Sequence, residues 1–318
     1  MNILILGGGG FLGQKLARAL IQSGALRGAK ITGLTLADLA APNAIAAPFP
    51  VTSCACDITD PAQVDALVTA DFDVIYLLAA IVSAHAEAEF ETGYSVNLDG
   101  TRNVLERARK LGSNPVVVFT SSIAVFGGDV PQPIEDLTIP NPQGSYGTQK
   151  AMCELLLNDY SRKGYIQGRG LRLPTISVRP GAPNRAASSF MSSIIREPLN
   201  GLPAICPVGR DYRHYYLSPK RCIANLIKAT NWDQAQLGQQ VNMMMPGQTR
   251  SIGEMIDALE VVAGPEVTAR IEFSDQPEIR AIVETWVHSV HPQKALGLGL
   301  TADTSFEENI RAYIDDDM

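Results

Sequence analysis

The sequence has little of what marks several common protein classes. Its four histidines and five cysteines are scattered without the spacing of metal ligands, so we expect no metal site. An odd, dispersed set of cysteines also argues against a disulfide framework and favours a reducing compartment. We therefore expect a cytoplasmic protein whose histidines lie in loops or at the surface.

Basic charge and long apolar runs are scarce as well. The chain carries 26 Lys and Arg against 33 Asp and Glu, a net charge of −7, which disfavours a nucleic-acid partner. The apolar residues 3–6 stop at a run of glycines with no basic segment before them, so we expect neither a signal peptide nor membrane contact. These absences leave a small dissolved substrate as the expected partner.

Short apolar runs alternate with amphipathic stretches as far as residue 180 or so, which is typical of a parallel sheet covered on both faces. We predict an α/β fold with a Rossmann-type, doubly wound parallel sheet. Helices are predicted to begin near Phe11, Pro61, Ala86 and Ser145. The predicted strands are residues 2–6, 31–36, 51–56, 73–78, 115–119 and 170–178.

A glycine-rich loop joins the first predicted strand to the first helix. Without side chains, its backbone N–H groups and the positive end of the helix can approach a pyrophosphate closely. A plain tight turn could look the same, but the position after the first strand of an α/β pattern indicates a dinucleotide site. The predicted phosphate loop comprises Gly7, Gly10, Phe11, Leu12 and Gly13.

Asp38 ends the second predicted strand, 25 residues after Gly13. In dinucleotide folds an acid roughly 20 residues beyond the loop binds the adenosine ribose. Its charge would repel a 2′-phosphate, and no Lys or Arg follows in residues 39–50, so we predict NAD rather than NADP. The alternative is a turn-forming Asp. Asp57, after the third strand, could accept from the adenine amino group or serve as a turn or helix cap.

Tyr146 and Lys150 open a predicted helix at positions i and i+4, so they share one face. A phenol has a pKa near 10 and must have it lowered to act as a base at neutral pH, and we expect Lys150 and a positive nicotinamide ring to do this. Ser122 ends the preceding strand, where it can orient a reacting oxygen. Each signal is weak alone, and the combination predicts a catalytic Ser122, Tyr146 and Lys150 set.

Beyond Arg179 the sequence becomes rich in proline and glycine connections. Ser251 to Glu254 is typical of a capping box, and Ser218 followed by Pro219 indicates another helix start. We predict two parts that pack together. Residues 1–180 would bind NAD and carry the catalytic residues, and residues 181–318 would form a smaller, mainly substrate-binding lid region.

Together, the glycine loop, residues 77–80, Asn97, Ser121-Ser122 and the Tyr146 helix resemble the extended short-chain dehydrogenase/reductase family of NAD-dependent epimerases, dehydratases and dehydrogenases. The resemblance implies Ser122 as substrate polariser, Tyr146 as general acid and base, and Lys150 as ribose ligand. Phe126 stands where that family usually has Tyr, and Leu77 where His is common. Further cofactor contacts implied by the resemblance are Ile58, Leu78, Ala79, Ala80, Asn97, Pro174 and Ile176.

Within this family, residues 145–162, 171–189 and 195–199 resemble the D-erythronate dehydrogenase branch. That resemblance implies oxidation of a four-carbon sugar acid at C2 to the 2-keto acid, with NAD as acceptor. The residues themselves add positive charge for a carboxylate, at Arg179, Arg185, Arg196, Arg210 and Arg213. Arg179 could instead only brace its loop. The predicted substrate pocket comprises Ser83, Ser122, Tyr146, Thr175, Arg179, Asn184 and Ser188.

Two other functions compete with the dehydrogenase. A sugar-nucleotide epimerase or dehydratase would keep NAD bound and return the hydride, but no Glu or Asp adjoins Ser122, and residues 173–176 lack the usual Asn. A redox-sensing regulator would not need the catalytic set. The long amphipathic residues 86–111 and 145–163 match helices that pair across a two-fold axis in the resembled family, so we expect a homodimer.

Overall fold

A computed structural model describes residues 1–181 and 187–318. The larger sheet is built from strands whose residues are apolar and covered on both sides, as in β1, where residues 3–6 are buried. The strands are β1 (Asn2–Leu6), β2 (Ala25–Leu26), β3 (Ala29–Lys30), β4 (Gly33–Asp38), β5 (Val51–Ala55), β6 (Val74–Leu77), β7 (Val116–Ser122), β8 (Ile134–Glu135), β9 (Gln167–Leu173), β10 (Thr175–Ile176), β11 (Ala204–Cys206), β12 (Arg213–Leu217), β13 (Asn242–Met244), β14 (Gln248–Ser251), β15 (Ile271–Phe273) and β16 (Val290–His291).

Helices cover both faces of this sheet and build most of the second part of the chain. They are α1 (Phe11–Ser23), α2 (Pro61–Leu67), α3 (Ser83–Ala88), α4 (Phe90–Gly93), α5 (Thr101–Leu111), α6 (Ser145–Arg162), α7 (Phe190–Leu199), α8 (Pro219–Ala229), α9 (Gln234–Leu237), α10 (Ile252–Ala263), α11 (Pro265–Thr268), α12 (Pro277–Val283), α13 (Gln293–Gly297) and α14 (Phe306–Asp317). Among these described helices, none is long and apolar enough to cross a bilayer.

The main sheet confirms the predicted doubly wound topology. Within the described residues it has seven strands in the order β13-β9-β7-β6-β1-β4-β5, and all neighbouring pairs run parallel. The chain moves outward in one direction from β1 to β5 and returns to start again with β6. In such sheets the ligand crevice lies at the carboxyl ends of the strands where the direction reverses, here between β1 and β6.

The predicted helix starts at Phe11, Pro61 and Ser145 are confirmed. The two helix starts predicted beyond residue 180 are confirmed as well. Ser251 and Glu254 form a reciprocal capping box, and Ser218 caps the helix that begins at Pro219. The predicted strand at residues 170–178 is two strands, β9 and β10, separated by Pro174. A proline cannot donate to a strand ladder, which accounts for the break.

The amphipathic stretch at residues 86–111 is interrupted rather than continuous. It consists of α3, α4, a π-helical segment over Tyr94–Gly100, and α5. Two glycines sit where the chain passes closest to its neighbours. A Cβ on Gly93 would lie 2.6 Å from the Gln149 side chain, and one on Gly100 2.7 Å from Ile58.

Residues 181–318 do not all lie apart from the main sheet. Strand β13 extends that sheet beside β9, and Cys222 and Leu226 of α8 belong to its apolar core. A second core lies between α7, α10 and α14, with Ile195, Leu259 and Ile310 fully buried. The division at residue 180 remains a prediction. Two elements from beyond it, α8 and β13, pack with the main sheet of the first part.

Candidate active site

The glycine loop lies at the reversal point of the sheet. Gly7 follows β1 with φ 88°, and a Cβ there would lie 2.6 Å from the backbone nitrogen of Ala79, which follows β6. A Cβ on Gly13 would overlap the Gly7 carbonyl oxygen. Gly10 precedes α1 and has no side chain to cap the first turn. These side-chain-free contacts leave the helix N–H groups open to a pyrophosphate, so the loop fits a dinucleotide.

The two acids predicted near the adenosine end differ in their contacts. Asp38 accepts hydrogen bonds from the N–H groups of Gly9 at 2.9 Å and Leu39 at 2.8 Å, so its carboxylate is fixed beside the glycine loop. Asp57 accepts from the backbone N–H and the hydroxyl of Thr59, at 2.9 and 2.8 Å. Asp57 therefore has the role of a turn-forming residue, and its contact with adenine stays a prediction.

A cavity of about 1020 Å³ opens beside the glycine loop and brings most of the predicted site together. Asp38, Asp57, Ile58, Ala79 and Asn97 do not line it, and Asn184 lies outside the described residues. The predicted residues that line it are Gly7, Gly10, Phe11, Leu12, Gly13, Leu78, Ala80, Ser83, Ser122, Tyr146, Lys150, Pro174, Thr175, Ile176, Arg179 and Ser188.

Asn97 is buried and joins the loop after β6 to helix α6. Its side-chain oxygen accepts from the Ile81 N–H at 2.9 Å, and its amide donates to Gln149 at 2.8 Å and to the Ile81 carbonyl at 3.2 Å. Asn97 thereby positions the wall of the cavity. Its direct contact with a cofactor stays a prediction.

The serine end of β7 is held from beneath by a buried ion pair. The Ser121 hydroxyl donates to Glu154 at 2.5 Å, and Arg172 donates to both oxygens of the same carboxylate at 2.9 and 2.7 Å. Both charged side chains are almost fully buried, so neither partner can be removed without exposing the other charge to the core. The network fixes β7, β9 and α6 relative to one another, and with them Ser122.

Tyr146 and Lys150 lie on the first turns of α6, which packs closely under the end of β7. A Cβ on Gly147 would overlap the Ala124 carbonyl oxygen, so glycine permits this approach. The Lys150 ammonium donates to the Thr120 carbonyl at 2.8 Å and lies 5.6 Å from the centre of the Tyr146 ring. Serine, phenol and ammonium therefore converge on one wall of the cavity.

Burial dominates the protonation of this pair. It raises the pKa of Tyr146 to about 12, although a hydrogen bond from Ser122 and the charge of Arg179 act in the lowering direction. Burial also lowers the pKa of Lys150 to about 8. Desolvation of the phenolate thus outweighs the favourable charges in the protein alone, and the lowering expected from Lys150 together with a bound nicotinamide ring stays a prediction.

The structure describes four of the five candidate arginines, and these four differ in their ion-pair and hydrogen-bond partners. Arg210 pairs with Asp257 at 2.6 Å and Arg213 with Glu254 at 3.3 Å, on exposed side chains. Arg196 donates to Glu197 at 2.6 Å and to the Arg179 carbonyl at 2.8 Å. Arg179 lines the cavity, and its Nε donates to the Ile176 carbonyl at 3.2 Å. Arg179 thus braces its loop and also faces the cavity.

The geometry is that of a dinucleotide-dependent enzyme, and comparison with known proteins identifies its family. The sequence model of the NAD dependent epimerase/dehydratase family matches residues 3–216. The chain belongs to the NAD dependent epimerase/dehydratase family. NAD is accordingly its cofactor, as predicted from Asp38 and the glycine loop.

Individual members of this family resemble the chain over its whole length. A D-erythronate dehydrogenase from Cupriavidus necator is 47% identical, over 99% of this chain and 98% of its own. A D-erythronate dehydrogenase from Haemophilus influenzae is 43% identical, over 100% of both chains. A crystal structure of a nucleoside-diphosphate-sugar epimerase from Agrobacterium tumefaciens is 45% identical and superposes with a TM-score of 0.96, covering 99% of this chain and 94% of that one.

Several residues of the cavity were missed in the sequence. Glu87 lines it and accepts from the Ser145 N–H at 2.8 Å, and Trp286 lines it from the segment after α12. His214 lies on β12 and is 1% exposed, so the expectation of a loop or surface histidine is wrong there. A lone histidine carries no burial signal, although the following Tyr215, Tyr216 and Leu217 have the β-propensity of a strand.

Proposed function

We propose that this protein oxidises the sugar acid D-erythronate at C2, giving 2-dehydro-D-erythronate and reduced NAD. The observation that carries the proposal is full-length similarity, at 47% and 43% identity, to two D-erythronate dehydrogenases. The cavity supports it independently. Arg179 supplies a cation for a carboxylate in the same cavity as Tyr146 and Ser122.

In this proposal bound NAD supplies the hydride acceptor. Tyr146 takes the proton of the substrate C2 hydroxyl, and Ser122 hydrogen-bonds the same oxygen as it becomes a carbonyl. Lys150 holds its ammonium beside the phenol and would bind the nicotinamide ribose. The glycine loop would hold the pyrophosphate and Asp38 the adenosine ribose, with Ile58, Leu78, Ala79, Ala80, Pro174 and Ile176 along the remaining length of the cofactor.

The second part of the chain would close the substrate end. Ser188 and residues 281, 282 and 285–287 line the cavity from beyond residue 180, which supports the proposed division of labour between the two parts. Ser83, Thr175 and Ser188 are proposed to contact the substrate together with Arg179. All five cysteines are free thiols, which supports a cytoplasmic location.

We also propose a homodimer formed through α3 to α6. Apolar side chains are exposed on this face, with Phe90 of α4 58% and Leu155 of α6 73% exposed. Burial against a second copy would remove them from water. A dimer at micromolar concentration in light scattering is expected, and Leu155→Arg should dissociate it. A monomeric wild-type protein would contradict the proposal.

A specific observation keeps an epimerase as the second candidate, since the solved structure at 45% identity is described as a nucleoside-diphosphate-sugar epimerase. The two functions differ in the fate of the hydride. A dehydrogenase releases reduced NAD in every turnover, whereas an epimerase returns the hydride and shows no net reduction. An assay for NADH formation over four- to six-carbon sugar acids and sugar nucleotides separates them. NADH with D-erythronate supports the proposal, and isomerisation of a sugar nucleotide without NADH overturns it.

A further inference from the structure

His214 is the buried histidine of the cavity, and it contacts a residue of the proposed substrate pocket. Its Nε2 lies 2.7 Å from the Thr175 hydroxyl oxygen. Both residues line the cavity that contains Ser122 and Tyr146. The imidazole is enclosed by aromatic rings, with ring centres 6.3 Å from Tyr212, 5.3 Å from Tyr216 and 5.4 Å from Trp286.

The surroundings keep this imidazole uncharged. Burial lowers the pKa of His214 to about 3, and the charge of His288 acts in the same direction. The neutral ring carries one N–H and one acceptor nitrogen. The position of that single proton therefore decides which way the hydrogen bond to Thr175 runs.

The two ring nitrogens differ in their partners. Nε2 contacts Thr175, whereas Nδ1 is buried and, within residues 1–181 and 187–318, has no hydrogen-bond partner. A proton on Nδ1 would leave a buried donor unsatisfied, and orphaned buried N–H groups are rarer than unfilled acceptors. The proton is therefore better placed on Nε2, where it is donated to the Thr175 oxygen.

This tautomer fixes the role of the Thr175 hydroxyl. Because its oxygen already accepts from His214, its own proton is directed elsewhere. Among the described residues no acceptor for that proton is found, and Thr175 is only half-buried at the cavity wall. A hydroxyl held as a donor suits an acceptor-only group such as a carboxylate.

The charges around the cavity favour the same end for a carboxylate. Arg179 lies on this side, because its Nε donates at 3.2 Å to the carbonyl of Ile176, the residue after Thr175. Glu87, also in the cavity lining, accepts from Ser145 at the start of α6 and would repel an acid. Arg179 therefore supplies positive charge beside Thr175 for an anionic substrate, in addition to the ammonium of Lys150 in the same cavity lining.

We infer that His214 is a positioning residue that holds the Thr175 hydroxyl as a hydrogen-bond donor to the substrate carboxylate, so that the pair selects acids over neutral polyols. This inference rests on the proposed oxidation of a sugar acid. It adds a residue outside the substrate pocket predicted from the sequence, and it assigns Thr175 a direction of hydrogen bonding.

The kinetic test compares Thr175→Val with the matched control Thr175→Ser, which keeps the hydroxyl. Loss of a hydrogen bond to a charged group should raise KM for D-erythronate about 10-fold in the valine variant. The change in kcat should be small, and the Kd for NAD should match that of the wild type. The serine variant should stay close to the wild type, and His214→Phe should raise KM in the same direction as valine. An unchanged KM in the valine variant overturns the inference.

A spectroscopic test reads the tautomer without any substrate. In the full-length protein, ¹⁵N chemical shifts of the His214 ring, assigned with His214→Phe, should show a protonated Nε2 and an unprotonated Nδ1. Protonation at Nδ1 would overturn the inference, because Thr175 would then donate to the ring. If the wild type oxidises D-erythronate and only these results fail, the proposed function stands. If the wild type oxidises no sugar acid, the proposed function fails and this inference with it.

Discussion

Lys150 lies one helical turn after Tyr146, and its ammonium donates to the Thr120 carbonyl at 2.8 Å while sitting 5.6 Å from the phenol ring centre. The backbone of β7 therefore holds the ammonium under the ring. Burial keeps the pKa of Tyr146 at about 12 in this state, so the phenol is protonated at neutral pH. Tyr146 can therefore act as a base at neutral pH only if its pKa is lowered, and we expect the charge of bound NAD to do this.

Replacing Tyr146 with Phe removes the proton acceptor and leaves the ring. We expect kcat to fall by 10²-fold or more, in the range of about 10²–10⁴ that general acid–base groups contribute. The Kd for NAD, measured by calorimetry, should stay nearly unchanged. A variant with half the wild-type activity would exclude Tyr146 as the base.

Replacing Lys150 with Met should lower both turnover and NAD affinity, since the ammonium is assigned to the phenol and to the ribose. The folded-state pKa of about 8 lies below the ordinary lysine value of 10.5, so the unfolded chain binds more protons between these values. Burial of the ammonium thus lowers the free energy of unfolding by about 3 kcal/mol below pH 8. This destabilisation decreases as the pH rises and vanishes above pH 10.5.

An uncharged methionine side chain at this position has no such cost, so thermal unfolding at pH 7 should show a higher Tm for Lys150→Met, with the difference shrinking as the pH rises towards the ordinary lysine pKa. A lower Tm at pH 7 would show that the hydrogen bond to Thr120 outweighs the burial of charge. Unchanged NAD affinity would remove the assigned contact with the ribose.

Cofactor choice tests Asp38, whose carboxylate is fixed by Gly9 and Leu39 beside the glycine loop. We expect kcat/KM to be about 10-fold higher or more with NAD than with NADP, because the carboxylate repels a 2′-phosphate. Asp38→Asn should narrow that ratio while the fold stays intact. Equal values for the two cofactors in the wild type would refute the ribose assignment.

Replacing Arg179 with Met tests the carboxylate contact. The change should raise KM for D-erythronate about 10-fold or more, through loss of a charged hydrogen bond, while the protein stays folded and keeps its NAD affinity. Arg210→Met is the matched control, because Arg210 pairs with Asp257 on the surface and should leave KM unchanged. An unchanged KM in the Arg179 variant would assign the carboxylate contact to Arg196 instead, or to Arg185, which lies outside the described residues.

His214 should make the fold sensitive to acid. Its folded-state pKa of about 3 lies below the ordinary histidine value of 6.5, so the unfolded chain binds the additional proton between these values. The contribution of His214 to the free energy of unfolding is therefore complete above pH 6.5. It falls as the pH drops, by about 2 kcal/mol between pH 7 and pH 5. Urea unfolding of His214→Phe at the two pH values should show a loss smaller by that amount. Equal losses in both proteins would mean that the imidazole can ionise in the folded state.

Residues with a local chemical signature were predictable from the sequence. The glycine loop, the start of α6 and the strands around them follow from periodicity and turn chemistry, and the structure brings Gly7, Ser122, Tyr146 and Lys150 into one cavity. Strand β13 was missed because three residues are too few to show a period. Its pairing with β9 depends on tertiary packing, which a local sequence pattern does not show.

The same limit applies to His214 and to residues 86–111. In that stretch Gly93 lies against Gln149 and Gly100 against Ile58, and His214 is buried among the rings of Tyr216 and Trp286. Both depend on residues far away in the chain. Composition and spacing predicted the catalytic set, but they could not predict which polar side chains face the substrate end of the cavity.

The most direct test of the proposed oxidation follows the hydrogen at C2. The wild-type protein is incubated with NAD and D-erythronate carrying deuterium at C2, and the reduced cofactor is analysed by mass spectrometry, with Tyr146→Phe as control. We expect one deuterium in NADH released in solution, formed much faster by the wild type than by Tyr146→Phe. Absence of labelled NADH, or deuterium retained in an isomerised product, would contradict it.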